Sequence, residues 1–347
     1  MRYIPSVREH LYASTIRDEV WIAAGGDLTK VSERSEKGLA HTKHRAESVE
    51  IEATDSFAGF DAIEAEIESA IGSDATPLVS DIAARTGRPL RIRIVRLARK
   101  VIADRVHDLR SEQLLVLSAG SSRSIVTRVD EVDGFRDLLE TPEEPPIQLE
   151  NYRSQFLEWS DGSAAVLMHE AVGHPAEQGR TDVTWPEWLS VSDRPSRLSP
   201  RGIDDCGVRT RDSELTVPPV SLAWRRSSFR DAPLRRMSSI SVAAHGVIAL
   251  VPSERVRIRL ISGGRYDGLS DMVTLGISAA ELVTGRQVIP LSPFTIREKR
   301  ATVARSLMGQ CGPESAYPGV ACFDEGQRLF VESRACAILT RPFAELR

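Results

Sequence analysis

Cysteine is scarce in this chain, with four thiols (Cys206, Cys311, Cys322 and Cys336) in 347 residues. That count excludes a small disulfide-stapled scaffold and leads us to expect reduced thiols in a cytoplasm, one of them available to a metal. Long apolar runs are also missing. The longest, Val242 to Val251, is interrupted by His245 and Gly246 and is far too short for a membrane span. Met1 to Pro5 soon meet Arg8, Glu9 and His10 with no apolar core, so no export signal is expected. An excess of basic residues is absent too: 45 Lys and Arg against 49 Asp and Glu give a net charge of −4. Local pairs at Arg225-Arg226 and Arg235-Arg236 are outweighed, which argues against a nucleic-acid binder that relies on a basic face.

The remaining pattern predicts an α+β protein in two parts. Residues 1–145 read as a small N-terminal α/β domain whose first 50 residues are polar, with a mobile charged stretch from Ser32 to Glu50. A helix is expected over about 57–71, where Phe60, Ile63, Ile67 and Ile71 recur at helical spacing. A second is expected over about 92–109. Leu114 to Leu117 and Ile125 to Thr127 flank the turn-prone Ala119 to Ser122 and predict a hairpin. Thr141-Pro142-Glu143-Glu144-Pro145-Pro146 reads as a stiff linker. Residues 146–347 form the larger, strand-rich part. There Arg255 to Leu260 alternates as an antiparallel strand with one wet face, closed by Gly263-Gly264, and shorter strands follow at 273–277, 281–283 and 288–289.

Within the second part, His169-Glu170-Ala171-Val172-Gly173-His174 is entered through the apolar run Ala164 to Met168. Two imidazoles can hold a cation, and a carboxylate beside them can take a proton from water that the cation activates. Histidines at i and i+4 lie about 40° apart on an ideal helix, whereas these, at i and i+5, lie roughly 140° apart. One metal joins them only if the helix carries a wide π-type turn or ends at Gly173. A hexapeptide of this form arises by chance in about one chain in a hundred, so the motif alone does not decide.

Further blocks carry a resemblance. His169 to Glu177 reads HEAVGHPAE. Arg225-Arg226-Ser227-Ser228-Phe229 is followed by Pro233-Leu234-Arg235-Arg236-Met237-Ser238. Then come Ser270 to Gly285, Met308-Gly309-Gln310-Cys311-Gly312 and Pro318-Gly319-Val320. In this order they resemble the TldD/PmbA family of zinc metallopeptidases, over about half of the chain. The resemblance implies that zinc (Zn2+) is held by His169, His174 and Cys311, with Glu170 as general base. Cys311 stands between Gly309 and Gly312, where the backbone can approach a metal closely; Cys206, after Asp204-Asp205, is the rival thiol. Glu177 reads either as a residue orienting a ligand or as part of a solvated helix face. The paired arginines read either as a clamp for a peptide or as structural ion pairs, and His245 and Trp224 as packing residues.

The resemblance implies a cytoplasmic peptidase acting on peptides or unfolded protein segments. It also implies a homodimer, or a heterodimer with a related subunit; the charge balance and the short apolar runs lead us to expect no contact with nucleic acid or membrane. The alternative is a non-catalytic binding or assembly subunit with a structural metal, in which a fourth protein ligand such as Asp204 or Cys206 closes the site.

Overall fold

Alternation decides the N-terminal half. Leu90, Ile92 and Ile94 are buried while Arg91 is exposed, a period of two that makes a strand where a helix was expected over 92–109. The computed structural model describes residues 9–45, 48–53, 60–72, 74–86, 89–103, 106–119, 123–127, 146–148, 155–160, 162–195, 203–217, 219–225, 234–324 and 327–343. Most of the 141–146 linker lies outside them. Strands β1 (Glu9–Ala24), β2 (Asp27–Arg45), β3 (Ser48–Ala53), β4 (Leu90–Ala103), β5 (Val106–Ala119) and β6 (Arg123–Thr127) form a six-stranded antiparallel sheet in the order β3-β2-β1-β4-β5-β6. The expected hairpin is β5–β6, with Leu117 opposite Ile125.

Most of the first 50 residues, Ser32 to Arg45 among them, are therefore paired as strands, not left as an unpaired polar stretch. Residues 29–35 of β2 are exposed throughout, so hydropathy shows no period there, and the pairing is made by backbone hydrogen bonds to β1. Helices α1 (Phe60–Ile71) and α2 (Thr76–Thr86) join β3 to β4. Ile63, Ile67 and Ile71 of α1 pack on Ala13 and Ala98 of the sheet. Arg96 donates to the carbonyls of Ile71 (3.2 Å) and Gly72 (3.1 Å) at the end of α1 and is ion-paired with buried Glu19.

The second sheet carries the motif. Its strands are β7 (Phe156–Trp159), β8 (Leu189–Asp193), β9 (Ser213–Glu214), β12 (Ser239–Ala244), β13 (Glu254–Asp267), β14 (Met272–Thr284), β15 (Gln287–Leu291), β16 (Phe294–Lys299), β17 (Leu307–Asp324) and β18 (Gln327–Thr340). The order is β15-β14-β13-β7-β18-β12-β8-β9, with β16 on β14 and β17 on β18. A separate pair, β10 (Ala223–Arg225) and β11 (Leu234–Arg236), lies off that sheet. The fold is mixed α+β and strand-rich. The short strands expected at 273–277 and 281–283 are one strand, β14, and β13 runs on through Gly263-Gly264 to Asp267.

Central β7, parallel to β13 and antiparallel to β18, aims the motif helix. Trp159 is fully buried and donates from Nε1 to Thr340 (3.2 Å). The chain then turns at Gly162 (φ +76°), where a Cβ would lie 2.9 Å from Ser315 and Tyr317 of β17. Only glycine meets both demands. The hydroxyls of Ser160 and Ser163 each donate to the Ile258 carbonyl at 3.1 Å, fixing the start of the helix to β13. Among the described residues, no helix is long and apolar enough to cross a membrane.

Candidate metal centre

The motif helix has three parts: α3 (Ala164–Met168), a π-helical turn (His169–Gly173) and α4 (His174–Glu177). Every side chain from Ala164 to Val172 is buried, the polar His169 and Glu170 among them. The His174 N–H donates to the carbonyl of His169, the i→i+5 bond of a widened turn. Pro175 follows without an N–H to return to Ala171, a deficit that a bulge accommodates. Residues five apart thereby come to one side, and the two imidazoles meet edge to face with centroids 4.8 Å apart. Gly173 faces Met237, whose Sδ would lie 1.8 Å from an added Cβ. The i and i+5 spacing is thus the sequence trace of the π turn.

The thiol that completes the cluster is Cys322. Its Sγ lies 3.4 Å from His174 Nε2, and one donor atom each from His169, His174 and Cys322 falls within 4.8 Å of the others. Cys311 is not in this group. It lies on the same strand, half-buried, in an electrostatic setting that includes Glu158 and Cys336, and burial above all pushes its thiol up to about 12. The two cysteines are 11 residues apart (322 − 311), an odd number that puts them on opposite faces of a regular strand. Breaks in register between Leu307 and Gly309, Gln310 and Glu314, and Tyr317 and Val320 then set how β17 meets β18. Nothing in the spacing of the cysteines reveals those bulges.

The three side chains fit a cation. Zinc–nitrogen and zinc–sulfur bonds of about 2.0–2.3 Å in a tetrahedron separate ligand atoms by about 3.3–3.6 Å, close to the His174–Cys322 spacing. His169 is fully buried and, among the described residues, neither ring nitrogen has a hydrogen-bond partner, an arrangement that costs stability unless something else binds there. Burial, then the charges of His174 and Arg236, hold its pKa well below the usual histidine value, so the imidazole is neutral, the ligating form. Burial opposes the charge on His174, but its bonds to Cys322 and Glu177 and the charge of Glu170 outweigh that and raise its pKa. Without metal, a proton on His174 thus stands where a cation would offset the same anions.

Glu170 is buried, and its Oε2 lies 3.7 Å from His174 Nε2, with no hydrogen-bond partner among the described residues. Burial, reinforced by Glu177 and opposed by His174 and the Tyr266 N–H, pushes its carboxyl up to about 7. The carboxylate occupies the space beside Gly264 of β13, where an added Cβ would meet its Oε1 at 2.4 Å. That explains a glycine inside a strand. Gly264→Ala is expected to displace Glu170 and lower stability by about 1–3 kcal/mol; an unchanged urea midpoint would show that the pocket yields without strain.

Other side chains named from the sequence settle as follows. Glu177 is on no solvated face: its Oε2 lies 2.7 Å from His174 Nδ1, and its Oε1 accepts from Arg236 Nε (3.0 Å) and the Met237 N–H (2.8 Å). Asp204 accepts from the N–H groups of Cys206 and Val208, and neither Asp204 nor Cys206 belongs to the His169–His174–Cys322 group. His245 is exposed, not packed. The side chains of Trp224, Arg225 and Arg226 lie outside what is described.

This architecture has relatives among solved structures. TldE from Thermococcus kodakarensis superposes with a TM-score of 0.62 at 11% identity, over 96% of this chain and 95% of that one. The chain has the TldE fold. A candidate modulator of a DNA gyrase from Thermotoga maritima matches with a TM-score of 0.59 at 10% identity, over 96% and 95% of the two chains. A candidate modulator of DNA gyrase from Bacteroides thetaiotaomicron gives 0.52 at 10%, over 97% and 95%. No family model matches the sequence, and no curated protein matches it. At such identities the likeness is one of fold, and it is the fold that the resemblance to the TldD/PmbA family implies.

Proposed function

We propose that this chain is a zinc-dependent peptidase of the TldD type, with His169, His174 and Cys322 as the metal-holding side chains and Glu170 as general base. The observation that carries the reading is the buried His169 ring, both nitrogens unpartnered, beside a histidine and a thiol at metal-ligand spacing. Zinc bound there supplies a Lewis acid that acidifies water and polarises a carbonyl. Glu170, held near neutrality in its pKa, accepts a proton from the attacking water at Oε2 and returns it to the leaving amine nitrogen. Glu177 fixes the His174 ring through Nδ1, which leaves Nε2 for the cation. Among the described residues no fourth His, Cys, Asp or Glu joins the group, which favours an open, catalytic set over a closed structural one.

The test pairs metal content with turnover. Protein purified without chelator is expected to carry about one zinc per chain and to cleave members of an unstructured-peptide library, with loss of cleavage on chelation and recovery on adding zinc. Zinc that resists chelators, with no peptide cleaved, would favour the binding-subunit alternative.

A further inference from the structure

Arg236 is among the largest fully buried side chains of the protein, at 1% exposure. A guanidinium cannot be deprotonated at ordinary pH, so its burial needs anions close by. Two side chains on different elements accept from it. Nε donates to Glu177 Oε1 at 3.0 Å, and Nη2 donates to Cys322 Sγ at 2.8 Å. Glu177 in turn holds His174 through Nδ1 at 2.7 Å. The motif helix and β17 contribute ligand atoms 148 positions apart, and Arg236 touches a residue of each.

We propose that Arg236 is a positioning residue of the metal centre, a rigid two-armed clasp that fixes the spacing of the His174 and Cys322 ligand atoms. The proposal rests on the metal-centre reading given above. Three further features suit the role. The guanidinium presents its donors in a fixed planar fork, whereas a lysine ammonium at that position is a point charge on a flexible stem. The next residue, Met237, presses on Gly173 in the π turn and donates its N–H to the same Glu177 oxygen, so the Arg236-Met237 dipeptide grips the turn from the backbone as well. The dipeptide is itself anchored just downstream, where Asp193 accepts from the N–H groups of Ser238 and Ser239 at 2.9 Å each.

Cobalt(II) titration of the metal-free full-length protein tests this, because a thiolate–cobalt charge-transfer band reports the sulfur bond directly. Wild type is expected to take up one cobalt with that band, and Cys322→Ala to lose it. Arg236→Lys keeps the charge but loses the fork, and is expected to weaken cobalt affinity about 10–100-fold and to shift or weaken the band, while far-ultraviolet circular dichroism stays unchanged. A double variant with Glu177→Gln should lose less than the product of the two single effects, since both act through one clasp. Wild-type affinity and an unaltered band in Arg236→Lys would overturn the clasp while leaving the metal centre standing. Failure of the wild type to bind cobalt would overturn both. If Arg236→Lys does not fold, Arg236→Gln decides in its place: a tenfold or greater loss of affinity supports the clasp, and full affinity rejects it.

Discussion

Cys322→Ala will strip the protein of its metal, while Cys311→Ala will keep it. The expectation follows from distance, since only Cys322 places its sulfur 3.4 Å from His174 Nε2 and within 4.8 Å of a His169 nitrogen. Zinc bound to protein sites of this kind is worth about 10–16 kcal/mol. Shared over three ligands, each carries about 3–5 kcal/mol, so losing the thiolate should weaken binding by at least about 10²-fold. Cys311 has its thiol pushed up to about 12, chiefly by burial, so it resists becoming the thiolate a metal requires. Mass spectrometry of metal content on both variants, followed by chelator competition, separates the two sulfurs. One zinc retained in Cys322→Ala and lost in Cys311→Ala would move the centre to the other end of β17.

Glu170→Gln will cost about 10²- to 10⁴-fold in peptide turnover, the usual contribution of a positioned base, and leave zinc in place. Stability gives an independent check on the same carboxyl in the metal-free protein. Its folded pKa, about 7, lies above the ordinary value of 4.5. The protonated form is therefore favoured by folding, and that contribution is fully present below about pH 4.5 and lost as pH rises through 7. Above pH 7 the buried carboxylate is a burden on the order of 3 kcal/mol, a net figure that already contains what His174 and the Tyr266 N–H return. Glu170→Gln should accordingly raise the denaturation midpoint at pH 8 and change it little at pH 4.5. Turnover equal to wild type would remove Glu170 from the chemistry. A midpoint gain at pH 4.5 as large as at pH 8 would show that its ionisation is not what strains the pocket.

Much of this was legible in the chain itself. The i and i+5 histidines called for a π turn or a helix end at Gly173, because one metal cannot reach two side chains about 140° apart, and of the two the structure has the π turn, at His169–Gly173. The apolar spacing of Ile63, Ile67 and Ile71 marked α1, and the hairpin β5–β6 followed from its flanking runs. Each is a local signal, carried by residues a few positions apart.

What failed was non-local. Residues 92–109 suited a helix in composition, yet they become parts of β4 and β5; the alternation at 90–94 is local, and beyond Ile94, where burial no longer alternates, pairing with strands on both sides fixes them. Gly263-Gly264 read as a stop, yet β13 passes through, because Glu170 fills the space where a Cβ at residue 264 would stand. Sequence alone thus determined the helix, its turn and the first two candidate ligands. Tertiary structure alone brought Cys322 to the two histidines as the third candidate, with the Arg236 and Glu177 side chains beside it. The choice between Cys311 and Cys322 rests on bulges in β17 and on a contact 148 residues away from His174, and no spacing along a chain records which face of a bulged strand will meet a distant helix.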